Sequence, residues 1–127
     1  MGIPLQTGAL LWLISKIIHT QSFIFELIWR DYFKYISMKH GNKIFKIKGI
    51  LERDYRWGNS YSVFDSWCEG KTSEPFVNAN MIELKQTGWM SNRGRQNVAS
   101  FFAKDLKMDW RMGAAYFESL LIDYDVH

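Results

Sequence analysis

The chain has 127 residues, a length that one domain fills, with 47% hydrophobic and 17% aromatic residues and a formal net charge of +3. This composition can build a core, and its mild basicity permits a nucleic-acid partner without requiring one. The single cysteine, Cys68, excludes an internal disulfide framework and suits a reducing intracellular compartment, and His19, His40 and His127 are too scattered for zinc-type spacing, so no metal site is expected.

Residues 1–22 read as an atypical lead-in. Pro4 and Gly8 break its start, and LLWLISKII then forms a short helix, buried or facing a partner. The apolar run Ala9–Ile18 is too short to span a bilayer and Lys16 interrupts it, so no membrane partner is expected. The start also lacks the basic region and small-residue cleavage site of a signal peptide.

Thr20 to His40 has helical periodicity, with Ser22 as a candidate cap and Gly41-Asn42 as the stop. Glu26, Trp29, Arg30 and Phe33 recur at i, i+3, i+4 and i+7 and therefore share a face. A carboxylate, an indole and a guanidinium on one stripe are unusual for a plain core face. The competing reading is an ion pair between Glu26 and Arg30 beside a packed Trp29, worth only about 0.2–0.5 kcal/mol.

Gly41 to Asn59 reads as a loop in which lysines alternate with apolar residues, and Trp57 falls in its polar part. Ser62–Glu69 reads as a short helix packed through Val63, Phe64 and Trp67. Gly70-Lys71-Thr72 looks like the end of a phosphate loop, but the first glycine of that pattern would fall at Asp65, which excludes it. Ser73-Glu74-Pro75 opens the next element, and Asn78 to Gln86 is helical.

Thr87 to Arg111 concentrates the chemistry. Val98, Ala99, Phe101, Phe102 and Leu106 form a core-seeking helix face. Asn92, Arg93 and Arg95 at its start are costly to bury unless an anionic or hydrogen-bonding group meets them. A helix N-terminus flanked by arginines favours anions, so this turn is a candidate site for an anionic, planar partner. The alternative is a surface turn with solvated arginines. Arg111 to His127 reads as a last helix with Met112, Tyr116, Leu120 and Leu121 inward. Asp123 and Asp125 at its C-terminal end oppose the helix dipole, which suggests that an arginine or a ligand donor faces them. The expected fold is all-α: five or six helices with one long loop near residues 41–61.

Five motifs then occur in order: FELIWRDYF (Phe25 to Phe33), SWCEGKT (Ser66 to Thr72), PFVNANM (Pro75 to Met81), TGWMSNRGRQNVASFFAKDL (Thr87 to Leu106) and DWRMGAAYFESLLIDYDV (Asp109 to Val126). Together they resemble the FAD-binding helical domain of the photolyase/cryptochrome family, and SNRGRQNVASF resembles its DASH branch. The resemblance implies a partial, multi-helix FAD-binding domain over residues 23–127. It implies blue-light-dependent splitting of cyclobutane pyrimidine dimers by electron transfer from FAD, with single-stranded DNA as substrate.

The resemblance also implies residue roles. Asn92 matches the amide facing the flavin N5 edge. Arg95 and Asp123 match a pair bracketing the ring, Asp125 a residue near its pyrimidine end, and Trp89 a pocket aromatic. Phe23, Glu26, Arg30 and Tyr124 belong to the cofactor pocket. Glu26 and Trp29 match the carboxylate and stacking indole that meet a flipped dimer; with Asn92 they form the implied catalytic set. Arg93 and Gln96 lie on the DNA side. A base taken out of the stack needs an aromatic platform and hydrogen bonds to its edge. Trp57 and Trp110 match two members of the tryptophan chain that passes an electron to the flavin.

The 127 residues depart from the family pattern too. The antenna domain, the segment holding the FAD phosphates and the flavin-proximal tryptophan have no counterpart, so the second chromophore is not expected here. Asn78 stands where the family usually has Asp, Ser73 where it has Gly, Lys107 where DASH members have Gly, and His127 where they have Cys. The first two are expected to weaken local hydrogen bonding and a turn. Two alternatives accompany the lyase reading: a light-sensing or nucleic-acid-binding module without turnover, and a truncated product that binds no flavin.

Overall fold

The computed structural model describes residues 5–125, with side chains described from Leu10 onward. The expected break at Pro4 and the positions Val126 and His127 lie outside the described residues. The described elements are helices: α1 (Leu5–His40), a 3-10 turn (Gly41–Phe45), α2 (Tyr61–Cys68), α3 (Pro75–Thr87), α4 (Asn92–Ser100), a π-turn (Phe101–Asp105) and α5 (Trp110–Leu120). The chain divides into two compact units, the first ending at Asn42 and the second beginning at Lys43.

α1 is one helix where the sequence suggested two. No proline follows Pro4 within it, and Gly8 costs only about 1 kcal/mol in a helix interior, which a long helix tolerates. Ser22 is therefore not a cap, and Thr20 turns its hydroxyl back to the Lys16 carbonyl at 2.8 Å. Glu26 does not pair with Arg30; Arg30 meets Asp31 at 3.2 Å instead. Trp29 stacks on Phe33 with centroids 5.6 Å apart, as their i, i+4 spacing requires. The helix ends at His40, and Gly41 follows with φ 51°. Because the helix is continuous, the length argument made from Ala9–Ile18 does not apply. Leu10–Phe45 is long and apolar enough to cross a membrane by length and composition, with a mean hydropathy of 1.2. A core helix or a signal sequence passes the same test.

The second unit has its own core. Trp67, Val77, Met81, Leu84, Met90, Val98, Phe102 and Met108 are buried, drawn from α2, α3, α4 and the turns that follow them. Trp67 lies 4.3 Å from Phe102 and 5.8 Å from Phe117, ring centroid to ring centroid. Gly113 on α5 lets the rings close: a Cβ there would stand 3.0 Å from the Phe102 ring. Cys68 is buried beside this cluster, and burial pushes its thiol up to about 12.

Between α2 and α3, Asn78 accepts from the Thr72 amide at 2.8 Å and from its hydroxyl at 2.6 Å, and donates to the Thr72 carbonyl at 2.8 Å. Asn78 thus makes three hydrogen bonds to Thr72, one of them donated by an amide group that a carboxylate lacks. Pro75 opens α3 at the first turn, where a missing N–H costs nothing. After α4 the backbone widens into the π-turn, closed by the Leu106 amide donating to the Phe101 carbonyl at 3.0 Å. Gly58 then pairs with Met108: its N–H meets the Lys107 carbonyl at 2.7 Å, and its carbonyl accepts from Asp109 at 2.9 Å. Asp109 caps α5, accepting from the Arg111 amide at 3.0 Å.

The last helix stops at Leu120 rather than running to His127. Leu121 turns extended, and the Ile122 amide donates to the Gly88 carbonyl at 3.0 Å. This tertiary bond replaces the intrahelical one, so Asp123 and Asp125 lie beyond the helix and not on its dipole.

Candidate functional site

The turn between α3 and α4 is fixed from both sides. Gly88 sits in the left-handed region at φ 69° and donates to Leu84 at 2.8 Å; a Cβ there would press to 2.9 Å from the Leu120 carbonyl. Ser91 caps α4 by accepting from the Gly94 amide at 3.0 Å. Met90 between them is buried and anchors the turn, while Trp89 is 47% exposed. Gly94 packs against Asn80 and Met90 so closely that no side chain fits.

On this frame Arg95 is the organising side chain. Its Nε donates to the Met90 carbonyl at 2.9 Å, and its Nη2 donates to both carboxylate oxygens of Asp123, at 2.8 and 2.9 Å. The tie from Ile122 to Gly88 brings Asp123 to this position. Asn92, Arg93 and Gln96 on α4 are exposed. Among the described residues, nothing pairs with the Arg93 guanidinium or takes the Asn92 amide. Tyr124 follows the pair; burial first, then the Glu118 carboxylate, raises its phenol above the usual tyrosine value.

The other sequence-selected residues fall elsewhere. Phe23, Glu26, Trp29 and Arg30 lie on α1, in the first unit, and their side chains are exposed. Trp57 and Trp110 flank the π-turn in the second unit. Trp57 lines a cleft with Ala103, and Trp110 lines an apolar cleft of about 360 Å³ with the same Ala103, Trp67 and Phe117. The Trp110 indole donates to the Ile47 carbonyl at 3.3 Å. Sequence reading did not mark Lys104 and Lys107 as neighbours of Trp57. Only the Gly58–Met108 pairing brings those segments together, and no periodicity announces it.

The second unit is thus an α-helical unit whose capped α3–α4 turn presents an amide, arginines and an indole beside an arginine–aspartate pair. The family model described as the FAD binding domain of DNA photolyase matches residues 23–127, and the chain belongs to that family. Within it, the chain is 59% identical over 103 residues to Cryptochrome DASH of Xenopus laevis, covering 81% of this chain and 20% of that protein. It is 54% identical over 107 residues to Cryptochrome DASH of Synechocystis sp., covering 84% of this chain and 22% of that protein. The crystal structure of a Synechocystis cryptochrome superposes with a TM-score of 0.83 at 54% identity, over 84% of this chain and 22% of that one. An archaeal photolyase from Sulfolobus tokodaii, solved with two FAD molecules, gives a TM-score of 0.73 at 37% identity, over 82% of this chain and 24% of that one. The chain thus spans about a fifth of the length of the curated relatives it matches.

The residues present fit the cofactor of that domain. The Arg95 guanidinium, fixed by Met90 and Asp123, supplies positive charge at a set position. The exposed Asn92 amide offers both a donor and an acceptor, and the Trp89 indole a planar surface. A planar ring with alternating acceptors and donors and a delocalised negative charge suits that set.

Proposed function

We propose that the chain contributes residues of the flavin and substrate sites to a blue-light-dependent lyase that splits cyclobutane pyrimidine dimers, preferentially in single-stranded DNA. FAD supplies the light-driven electron that this chemistry needs. The chain's own residues bind and position. Arg95, Asp123 and Asn92 hold the ring edge, with Trp89, Tyr124 and Asp125 beside them in the second unit; Phe23, Glu26 and Arg30, on α1 of the first unit, are cofactor-binding residues by the family resemblance. Glu26 accepts a hydrogen bond from the flipped base, and Trp29 stacks on it. Arg93 and Gln96 contact the DNA backbone, as an unpaired guanidinium at a helix N-terminus suits a phosphate. Trp57 and Trp110 relay electrons. We assign the matched domain to residues 23–127 and treat residues 1–22 as a lead-in.

The observation that carries this reading is the Arg95–Asp123 pair, fixed at 2.8 and 2.9 Å beside an exposed Asn92 on a capped helix start. Its test is repair of a thymine dimer in a single-stranded oligonucleotide under blue light, by the full-length protein containing this chain. Combined Glu26→Ala and Trp29→Ala substitutions should lower the repair rate at least a hundredfold; unchanged repair would refute the assignment. A second reading, a light-sensing module without turnover, draws on the relatives' being named cryptochromes. Bound flavin with no repair in the same assay selects it.

A further inference from the structure

The second unit carries a further cleft, formed where the Tyr55–Trp57 segment meets the π-turn, with aromatic rings and lysine stems for walls and cationic heads at its edge. It has a volume of about 610 Å³ and is lined by Tyr55, Arg56, Trp57, Ala103, Lys104 and Lys107. That size lies within the range of small-molecule sites, about 300–1,000 Å³. The aromatic wall is ordered: Tyr55 and Trp57 meet edge to face with centroids 5.7 Å apart, and the Arg53 guanidinium donates to the Tyr55 hydroxyl at 3.5 Å.

The cationic wall is held in register by the backbone. Lys104 rides on the π-turn, a conformation frequent at functional positions. Lys107 adopts φ 52°, an unfavourable left-handed conformation for a residue with a side chain, and one that the surrounding structure must impose. Its carbonyl accepts from Gly58 at 2.7 Å, which ties the Trp57 loop to the lysines.

The charges are available. Among the described residues, Arg56, Lys104 and Lys107 take part in no ion pair. The acids adjoining in sequence are already engaged: Asp54 with Lys48 at 2.7 Å, and Asp109 with Arg111 at 2.7 Å. Asp105 lines a different cleft with Glu74 and Asn97. Three cations beside two aromatic faces form the chemistry that recognises a nucleobase bearing a phosphate.

We propose that this cleft is a second ligand site, separate from the flavin-facing turn, which takes a nucleotide: the base against Trp57 and Tyr55, the phosphate between Arg56, Lys104 and Lys107. The ligand can be a free mononucleotide or one unit of a single strand, and the two sources share this chemistry.

The test is titration of the full 127-residue chain with adenosine monophosphate and, in parallel, with an oligothymidylate, by calorimetry at low and physiological salt. The expected result is saturable binding that weakens with salt. Lys104→Glu with Lys107→Glu should abolish it, and Trp57→Ala should weaken it on the order of tenfold, the loss of one base stack. Lys107→Gly relieves the left-handed strain, so it should fold at least as well as the parent by circular dichroism while binding several-fold more weakly. Arg95→Met should leave the affinity unchanged. Tighter binding of the oligonucleotide with the same variant pattern assigns the site to single strands; equal or tighter binding of the mononucleotide assigns it to the free ligand. No binding by the parent chain, indifference to the lysine substitutions, or loss of binding in Arg95→Met would each overturn the proposal.

Discussion

Trp67 and Trp89 mark two opposite regions of the second unit. Trp67 is fully buried, packed on Phe102 and Phe117, and faces a glycine that leaves it room. Trp89 is half-exposed on a turn whose neighbours Asn92, Arg93 and Gln96 are also exposed, although capping, a left-handed glycine and an ion pair hold that turn rigidly. The first region spends its aromatic surface on packing. The second is ordered by hydrogen bonds and leaves its chemistry facing outward. A rigid turn whose polar groups are not used up internally is what a binding site requires, and the contrast in burial supports the proposed placement of Trp89 at the flavin.

The contrast can be broken most directly at the core. Trp67→Ala removes a fully buried ring and should destabilise the second unit by about 3–5 kcal/mol, read as a shift in the urea midpoint. If Trp89→Ala costs as much, the division fails; its expected cost lies within about 0.5 kcal/mol.

Asp109 sharpens the comparison from the electrostatic side. The Arg111 guanidinium beside it holds its carboxyl below the usual value of 3.8, with the backbone bond at the start of α5 adding to this. The folded protein therefore binds that proton less readily than the unfolded chain. The stabilisation is complete above about pH 4 and is lost as the pH falls below it. Asp109→Asn keeps a residue that caps as well and removes the ion pair, so it should cost less than about 1 kcal/mol at neutral pH and flatten the acid limb of a melting-temperature profile. Ser91→Ala should cost about 1 kcal/mol through the lost cap of α4, and should loosen the turn that holds Arg95.

Small stability effects are also expected at the proposed flavin-facing pair. Asp123 is about half-exposed, so Arg95→Met and Asp123→Asn should each change stability by less than about 1 kcal/mol while strongly reducing flavin retention.

Much of this was legible in the residues. Val98 and Phe102 reach the core as their spacing indicates, α2 packs through Trp67, and Pro75 opens α3 as helix punctuation should. Three features were not legible, each because a distant partner decides it. α1 runs through Thr20–Ser22 because those residues are helix-tolerant, although they also suit caps. α5 ends at Leu120 because Ile122 bonds to Gly88 across the unit, and this moves Asp123 off the helix and onto Arg95. The cleft at Trp57 exists because Gly58 pairs with Met108 beyond a π-turn, whose wider period no 3.6-residue pattern reveals. The Arg95–Asp123 pairing was expected from the family resemblance; from spacing alone, the two acids near the C-terminus called only for some cation or donor.

The central claim is that the turn bearing Asn92, Arg95 and its Asp123 partner holds the flavin. The most direct measurement is the absorption spectrum of the chain after incubation with FAD and desalting, beside Arg95→Met and Asp123→Asn treated identically. The account expects a structured flavin band on the parent chain that falls at least tenfold on both variants, with all three equally folded by circular dichroism. A parent chain that emerges colourless, or equal flavin on all three proteins, would contradict it.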